Sequence, residues 1–183
     1  MQEIKFEFYE KGPDVLLILT GVGGTTKGYG NKYERIAQAA MQKFNLSVIV
    51  ATTPSGAWMQ AEQCLNKIMD FVRSKKSDSC RVYAMGHSMG ANLVLWHFAK
   101  FPEIKKVLAV NPVLTVNLHL FSRLQNIKKP MQVVFGENDE SCKFAEMLPK
   151  NIKVDVLVGV DHSFTKHLDL FIQLPEKYLL ASF

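Results

Sequence analysis

Gly86-His87-Ser88-Met89-Gly90 follows the apolar run Val82-Tyr83-Ala84-Met85, and this G-x-S-x-G spacing suits a reactive serine. A serine at a sharp strand-to-helix turn sits in strained backbone geometry, and flanking glycines let neighbouring chain approach without a Cβ clash. Its hydroxyl then stands clear of the sheet, ready to attack an electrophilic carbon. The following N–H, from Met89, can face the oxyanion that develops. After Gly90 comes the apolar run Ala91-Asn92-Leu93-Val94-Leu95-Trp96-His97-Phe98-Ala99, long enough for the buried helix such an elbow opens.

The elements that must position this serine alternate along the whole chain. Ile4–Glu10 alternates polar and apolar like an edge strand, and Gly12-Pro13-Asp14 turns it into the continuous apolar run Val15–Thr20. Tyr33, Ile36, Ala37, Ala40 and Phe44 fall at helical spacing, and Leu46–Ala51 predicts the next strand, broken at Thr52-Thr53-Pro54-Ser55-Gly56. Trp58, Ala61, Leu65, Ile68 and Val72 make one stripe on a second helix. Strands are expected at Arg81–Met85, Lys106–Val110, Met131–Phe135 and Val154–Val158. A short helix near Cys142–Leu148 and a last helix from Phe164, interrupted at Pro175, complete the pattern. Alternation of this kind predicts an α/β fold with a mostly parallel sheet of 6–7 strands and helices on both faces, in one domain spanning 1–183.

In open sheets of this class ligands gather at the carboxyl ends of strands. Here those ends carry Gly21-Val22-Gly23-Gly24, then Ser88, then Gly136-Glu137-Asn138-Asp139, then Gly159-Val160-Asp161-His162. One rim therefore receives backbone donors, a hydroxyl, an acid and an imidazole, in the chain order Ser, Asp, His. With these four motifs the chain resembles the α/β-hydrolase superfamily, in a small, capless, esterase-like form, over nearly its whole length. The resemblance implies a three-layer fold with Ser88 as nucleophile, Asp139 as acid and His162 as base. It implies an oxyanion hole from the backbone N–H groups of Met89 and Val22. The chain departs from the commoner pattern at Thr20, where a histidine before the glycine is frequent; a backbone donor tolerates that change.

The acid has rivals, since Glu137 and Glu140 share the loop and geometry decides which carboxylate reaches the histidine. Asp139 has the Gly-x-x-Asp spacing and a short side chain that loses little entropy when fixed; its bland reading is a solvated turn that caps the helix from Ser141. Asp161 adjoins His162, but neighbours in a loop rarely present side chains to one another. Some family members place the acid after the fifth strand, where this chain has Asn111. His87 fills the variable slot of the elbow and is read as packing the turn. His167 is read as a packing or solvated residue, and His97 and His119 have no evident partner.

Composition excludes several other classes. The 183 residues are 48% hydrophobic and 21% charged, with no apolar stretch of membrane-spanning length and no signal-peptide pattern at the start. The net charge of +5 is spread over groups such as Arg73-Ser74-Lys75-Lys76, Lys105-Lys106 and Lys128-Lys129 at element ends. No aromatic interleaving accompanies them, so nucleic acid is not an expected partner. Cys64, Cys80 and Cys142 lack metal-ligand spacing and read as reduced thiols, so the cytoplasm is the expected compartment. The glycine loop fits neither G-x-x-x-x-G-K-[ST] nor G-x-G-x-x-G, so no nucleotide site is implied, and the chemistry calls for no metal or cofactor.

Together these readings predict a serine hydrolase that cleaves a carboxylic ester of a small-molecule acyl substrate. A thioesterase or small-amide hydrolase would use the same triad, and a ligand-binding protein on a hydrolase scaffold is the alternative outside catalysis. About twenty residues, Asn111 to Pro130, separate two strands where relatives often insert a lid. Val113 to Phe121 is apolar enough to wall a site but too short for a cap domain, which predicts an open site for a short or exposed acyl group. Oligomeric state is not written in the sequence.

Overall fold

The computed structural model describes residues 4–53, 61–114, 120 and 124–180. Trp58, His119, the Pro54-Ser55-Gly56 break and most of the apolar segment between Val113 and Phe121 lie outside the described residues. Among the described residues seven strands form one sheet: β1 (Phe6–Tyr9), β2 (Val15–Val22), β3 (Ser47–Thr53), β4 (Val82–His87), β5 (Ile104–Val110), β6 (Met131–Gly136) and β7 (Lys153–Leu157). Their spatial order is β1-β3-β2-β4-β5-β6-β7. Only β1, at the edge, runs antiparallel, pairing Phe8 with Ile49. Every other neighbour is parallel, for example Leu17 beside Ile49 and Ala84.

Continuous apolar runs form the central strands because both faces of the sheet are covered. Val15 to Leu19 are each at most 1% exposed, and burying each such side chain contributes about 1.5–3 kcal/mol. Val15, Leu17 and Leu19 face one layer with Leu65, Ile68 and Val72 of α2 (Ala61–Lys75) and Leu93 and Val94 of α3 (Met89–His97). Leu16 and Ile18 face the other, with Tyr33, Ile36, Ala37 and Ala40 of α1 (Lys32–Phe44) and Phe171 and Leu174 of α4 (Leu168–Leu174). This is the expected three-layer α/β-hydrolase arrangement, and the connection from Val110 to Met131 is too short for a cap domain. Among the described residues no helix is long and apolar enough to cross a membrane.

Several boundaries differ from expectation; β3, for one, runs through Thr52 and Thr53, where a break was expected. β2 runs on to Val22, because after a register shift Val22 pairs with Thr53, so Gly21 and Val22 belong to the strand end. The last helix begins at Leu168 instead of Phe164, whose φ of 60° lies in the left-handed region that no helix interior accepts. Pro175 does not interrupt it. Its φ of −61° and ψ of −41° are helical, and the chain continues as a π-helix over Pro175–Leu180. The proline has no N–H for the i−4 carbonyl, and the ladder is re-spaced there.

Candidate active site

The chain travels β2, α1, β3 and then returns past β2 to form β4, so the order reverses between β2 and β4. Ser88 stands at that crevice. Its φ of 57° and ψ of −124° are strained for a residue with a Cβ. The turn is tight enough that a Cβ on Gly90 would stand 2.3 Å from the Leu19 carbonyl oxygen, and one on Gly86 2.4 Å from that of Gly90. Both glycines are therefore dictated by the close approach of α3 to the sheet. Ser88 N–H donates to the Val110 carbonyl at 2.9 Å, and the Ser88 carbonyl accepts from Ala91 and Asn92. Ser88 occupies the N-cap of α3, yet its side chain makes no capping bond. The hydroxyl is turned instead toward His162.

His162 Nε2 lies 2.9 Å from Ser88 Oγ. On the other side of the ring, Nδ1 donates to Asp139 Oδ2 in a short, charge-assisted contact. Asp139 is the N-cap of a 3-10 segment, Glu140–Met147, and its second oxygen accepts the Ser141 N–H at 2.6 Å. Capping and imidazole contact thus coexist on one carboxylate. Its side chain is 1% exposed, against 41% for His162. Burial pushes the Asp139 carboxyl up, but hydrogen bonds from His162 and Ser141 outweigh it and hold the group below its usual range. Glu137 goes elsewhere, accepting the Gly159 N–H at 2.8 Å. Asp161 caps its own loop by accepting from Thr165 N–H at 2.9 Å. Of the carboxylates on these two loops, Asp139 is the one that meets the imidazole.

Met89 opens α3, and N–H groups in a first helical turn have no i−4 carbonyl. Val22 is 47% exposed at the exit of β2. The preceding Gly21 lies against the elbow, where a Cβ would stand 3.2 Å from that of Ser88. The structure thus brings the five expected residues to one rim.

Two further residues are built into this rim. Asn111, fully buried with φ 45°, donates Nδ2 to the carbonyls of His162 (2.8 Å) and Asp161 (3.3 Å), and its Oδ1 accepts Gly136 N–H at 2.7 Å. It ties the histidine loop to the end of β6. His87, expected to pack the turn, does so at 6% exposure, and both its ring nitrogens are hydrogen-bonded. Asn111 follows β5 at the position weighed for an acid; nothing in its spacing announces a brace.

A family model for the dienelactone hydrolase family matches residues 26–173. The chain belongs to the dienelactone hydrolase family. As a member of it the protein is a hydrolase of the α/β superfamily. Solved structures share the fold of this family member. Est1E from Butyrivibrio proteoclasticus matches with a TM-score of 0.73 and 15% identity, over 96% of this chain and 91% of that one; Est1E has also been solved with ferulic acid bound. An alpha/beta serine hydrolase homologue from Coxiella burnetii matches at 0.71 and 18%, over 93% and 89%. S-formylglutathione hydrolase from Staphylococcus aureus matches at 0.69 and 15%, over 92% and 82%. At such identities the likeness is one of fold. No curated protein sequence matches the chain.

Proposed function

We propose that the protein is a serine hydrolase that cleaves carboxylic esters of small molecules through an acyl-enzyme, with Ser88, His162 and Asp139 as its triad. The observation that carries this reading is the 2.9 Å contact between Ser88 Oγ and His162 Nε2, with Nδ1 of the same ring on Asp139. In that tautomer Nε2 has its lone pair toward the hydroxyl. His162 takes the serine proton as Oγ attacks the acyl carbon, and the buried Asp139 carboxylate stabilises the imidazolium. The N–H groups of Met89 and Val22 receive the oxyanion, where losing one donor costs about 3 kcal/mol. The imidazolium then protonates the leaving alcohol, and water activated by the same ring releases the acid.

A short or exposed acyl group is favoured by the brief connection between β5 and β6. The protein is proposed to act in the cytoplasm, without nucleic acid and without membrane insertion. Its three cysteines are free, and burial pushes the thiols of Cys64 and Cys80 up, away from the reactive thiolate.

A fluorophosphonate probe tests the reading. Labelling of the folded protein that vanishes in Ser88→Ala supports it; a folded protein that takes no label is a binding protein on this scaffold. A p-nitrophenyl series from acetate to laurate, with thioester and amide counterparts, then assigns the leaving group and acyl length. Preference for the laurate would overturn the open-site reading.

A further inference from the structure

We propose that His87, the variable residue of the elbow, is a positioning residue that fixes where the His162 imidazole stands, through a hydrogen-bonded chain from Tyr33 to His87 to the His162 carbonyl. This assignment rests on the serine hydrolase reading above.

His162 needs such a device. It lies between Leu157, the end of β7, and Leu168, the start of α4, on a stretch with no helix or strand of its own. Its side chain is 41% exposed, so packing alone does not hold the ring. Its backbone carbonyl, by contrast, receives two buried donors: Asn111 Nδ2 at 2.8 Å and His87 Nε2 at 3.0 Å. A carbonyl only accepts, so the His87 proton sits on Nε2. Nδ1 is then an acceptor, and the Tyr33 hydroxyl stands 3.2 Å from it as donor. Every polar atom of the His87 ring is thereby used, and none is left to take a proton from Ser88.

The chain is held rigidly at its far end. Tyr33, on α1, is 2% exposed and its ring meets Phe171 edge-on at 5.9 Å. His87 meets the same phenylalanine edge-on at 5.2 Å. Besides Tyr33, the charged and titratable neighbours of His87 are Lys32 from the start of α1, His162 from its own loop and Asp139 from the loop after β6. Burial, followed by the Lys32 charge, pushes the His87 imidazole down to about 3. That direction favours the neutral donor–acceptor state that the two hydrogen bonds require. Because His87 immediately precedes Ser88, one turn of chain fixes both the hydroxyl and the carbonyl of the residue that must reach it.

The test uses the full chain, with kcat and KM for p-nitrophenyl acetate and the rate of fluorophosphonate labelling. His87→Phe keeps an aromatic ring, though a larger one, and removes the donor; a misplaced base lowers kcat by about 10–100-fold, with KM within about twofold. His87→Gln, whose amide can donate from the Nε2 position, recovers most of that loss. Tyr33→Phe lowers kcat by a smaller factor. In the unmutated protein, 15N NMR should show His87 neutral, protonated on Nε2 and unmoved between about pH 5 and pH 8.

A wild-type protein that takes no label overturns the hydrolase reading itself. A labelled wild type with folded His87→Phe at full kcat overturns only the positioning role. Should His87→Phe not fold, a wild-type His87 that titrates in that range or carries its proton on Nδ1 overturns it equally.

Discussion

Asp139→Asn should lower kcat by about three to four orders of magnitude without unfolding the protein, and the reason lies in which oxygen does what. Oδ1 accepts the Ser141 N–H at 2.6 Å, and Oδ2 accepts from His162 Nδ1. The side chain is 1% exposed, so water cannot substitute for either partner. An asparagine must keep its oxygen on Ser141, which turns its NH2 toward Nδ1. The imidazole then accepts at Nδ1 and carries its proton on Nε2, facing a Ser88 hydroxyl whose proton it can no longer take. The wrong tautomer costs about 10⁴ in kcat, or about 5.5 kcal/mol at 1.36 kcal/mol per tenfold. Flipping the amide would restore the tautomer but leave two buried donors unsatisfied, the Ser141 N–H and the new NH2, at about 1–3 kcal/mol each. The flipped form is thus at most about 3% of molecules, and it lacks the charge that stabilises the imidazolium.

The assay is kcat for p-nitrophenyl acetate beside the rate of fluorophosphonate labelling, with circular dichroism to confirm the fold. A folded Asp139→Asn that keeps more than about 3% of kcat would falsify the tautomer mechanism and return Glu137 or Glu140 as the acid. The contribution of Asp139 itself to stability should change only in acid. The folded carboxyl lies below its unfolded value, so its stabilisation is complete above the ordinary Asp pKa of about 3.9 and fades as pH falls through the folded value.

Asn111→Ala removes three hydrogen bonds of a fully buried side chain, around His162 and Gly136; it should destabilise by about 2–4 kcal/mol and lower Tm by about 5–15 °C. A melting shift under about 2 °C would show that these bonds contribute less than about 1 kcal/mol and contradict the prediction. Lys32 is 4% exposed, and burial pushes its amine down to about 8. Between that value and the unfolded lysine pKa of about 10.4 the unfolded chain holds the extra proton, so wild-type stability rises with pH across this window relative to Lys32→Met. Urea midpoints of the two proteins at pH 7 and pH 10 measure the change, and a pH-independent difference contradicts it.

The elbow and the chain order Ser88, Asp139, His162 were legible because each depends on spacing that a single chain displays: small residues where backbones touch, and chemistry just past each apolar run. Asp139 was separable from Glu137 only partly, since the deciding contact is with Gly159 N–H, 22 residues away. Asn111 and His87 were less legible still. Both act on the carbonyl of His162, and a bond from a side chain to a distant backbone leaves no periodicity, motif or charge pattern behind. The start of the last helix was misjudged for a related reason. Phe164 is fully buried like a helix-face residue, but it reaches the core from a left-handed loop position set by the turn after His162.

Those long-range bonds explain why the rim holds its shape where regular structure has ended. His87 at the end of β4, Asn111 after β5 and Glu137 after β6 each reach the loop after β7 by a side chain to backbone bond, and Asn111 also holds the end of β6. Apolar packing could not do this, because the groups to be placed are polar and stand at an exposed rim. The opposite end of the sheet is fastened differently, by Arg81 forking onto Asp14 at 2.7 and 2.9 Å, far along the strands from Ser88. A side chain lost there weakens the fold alone. One lost from the rim weakens the fold and displaces the imidazole together, so at Asn111 and His87 stability and turnover should fall as a pair.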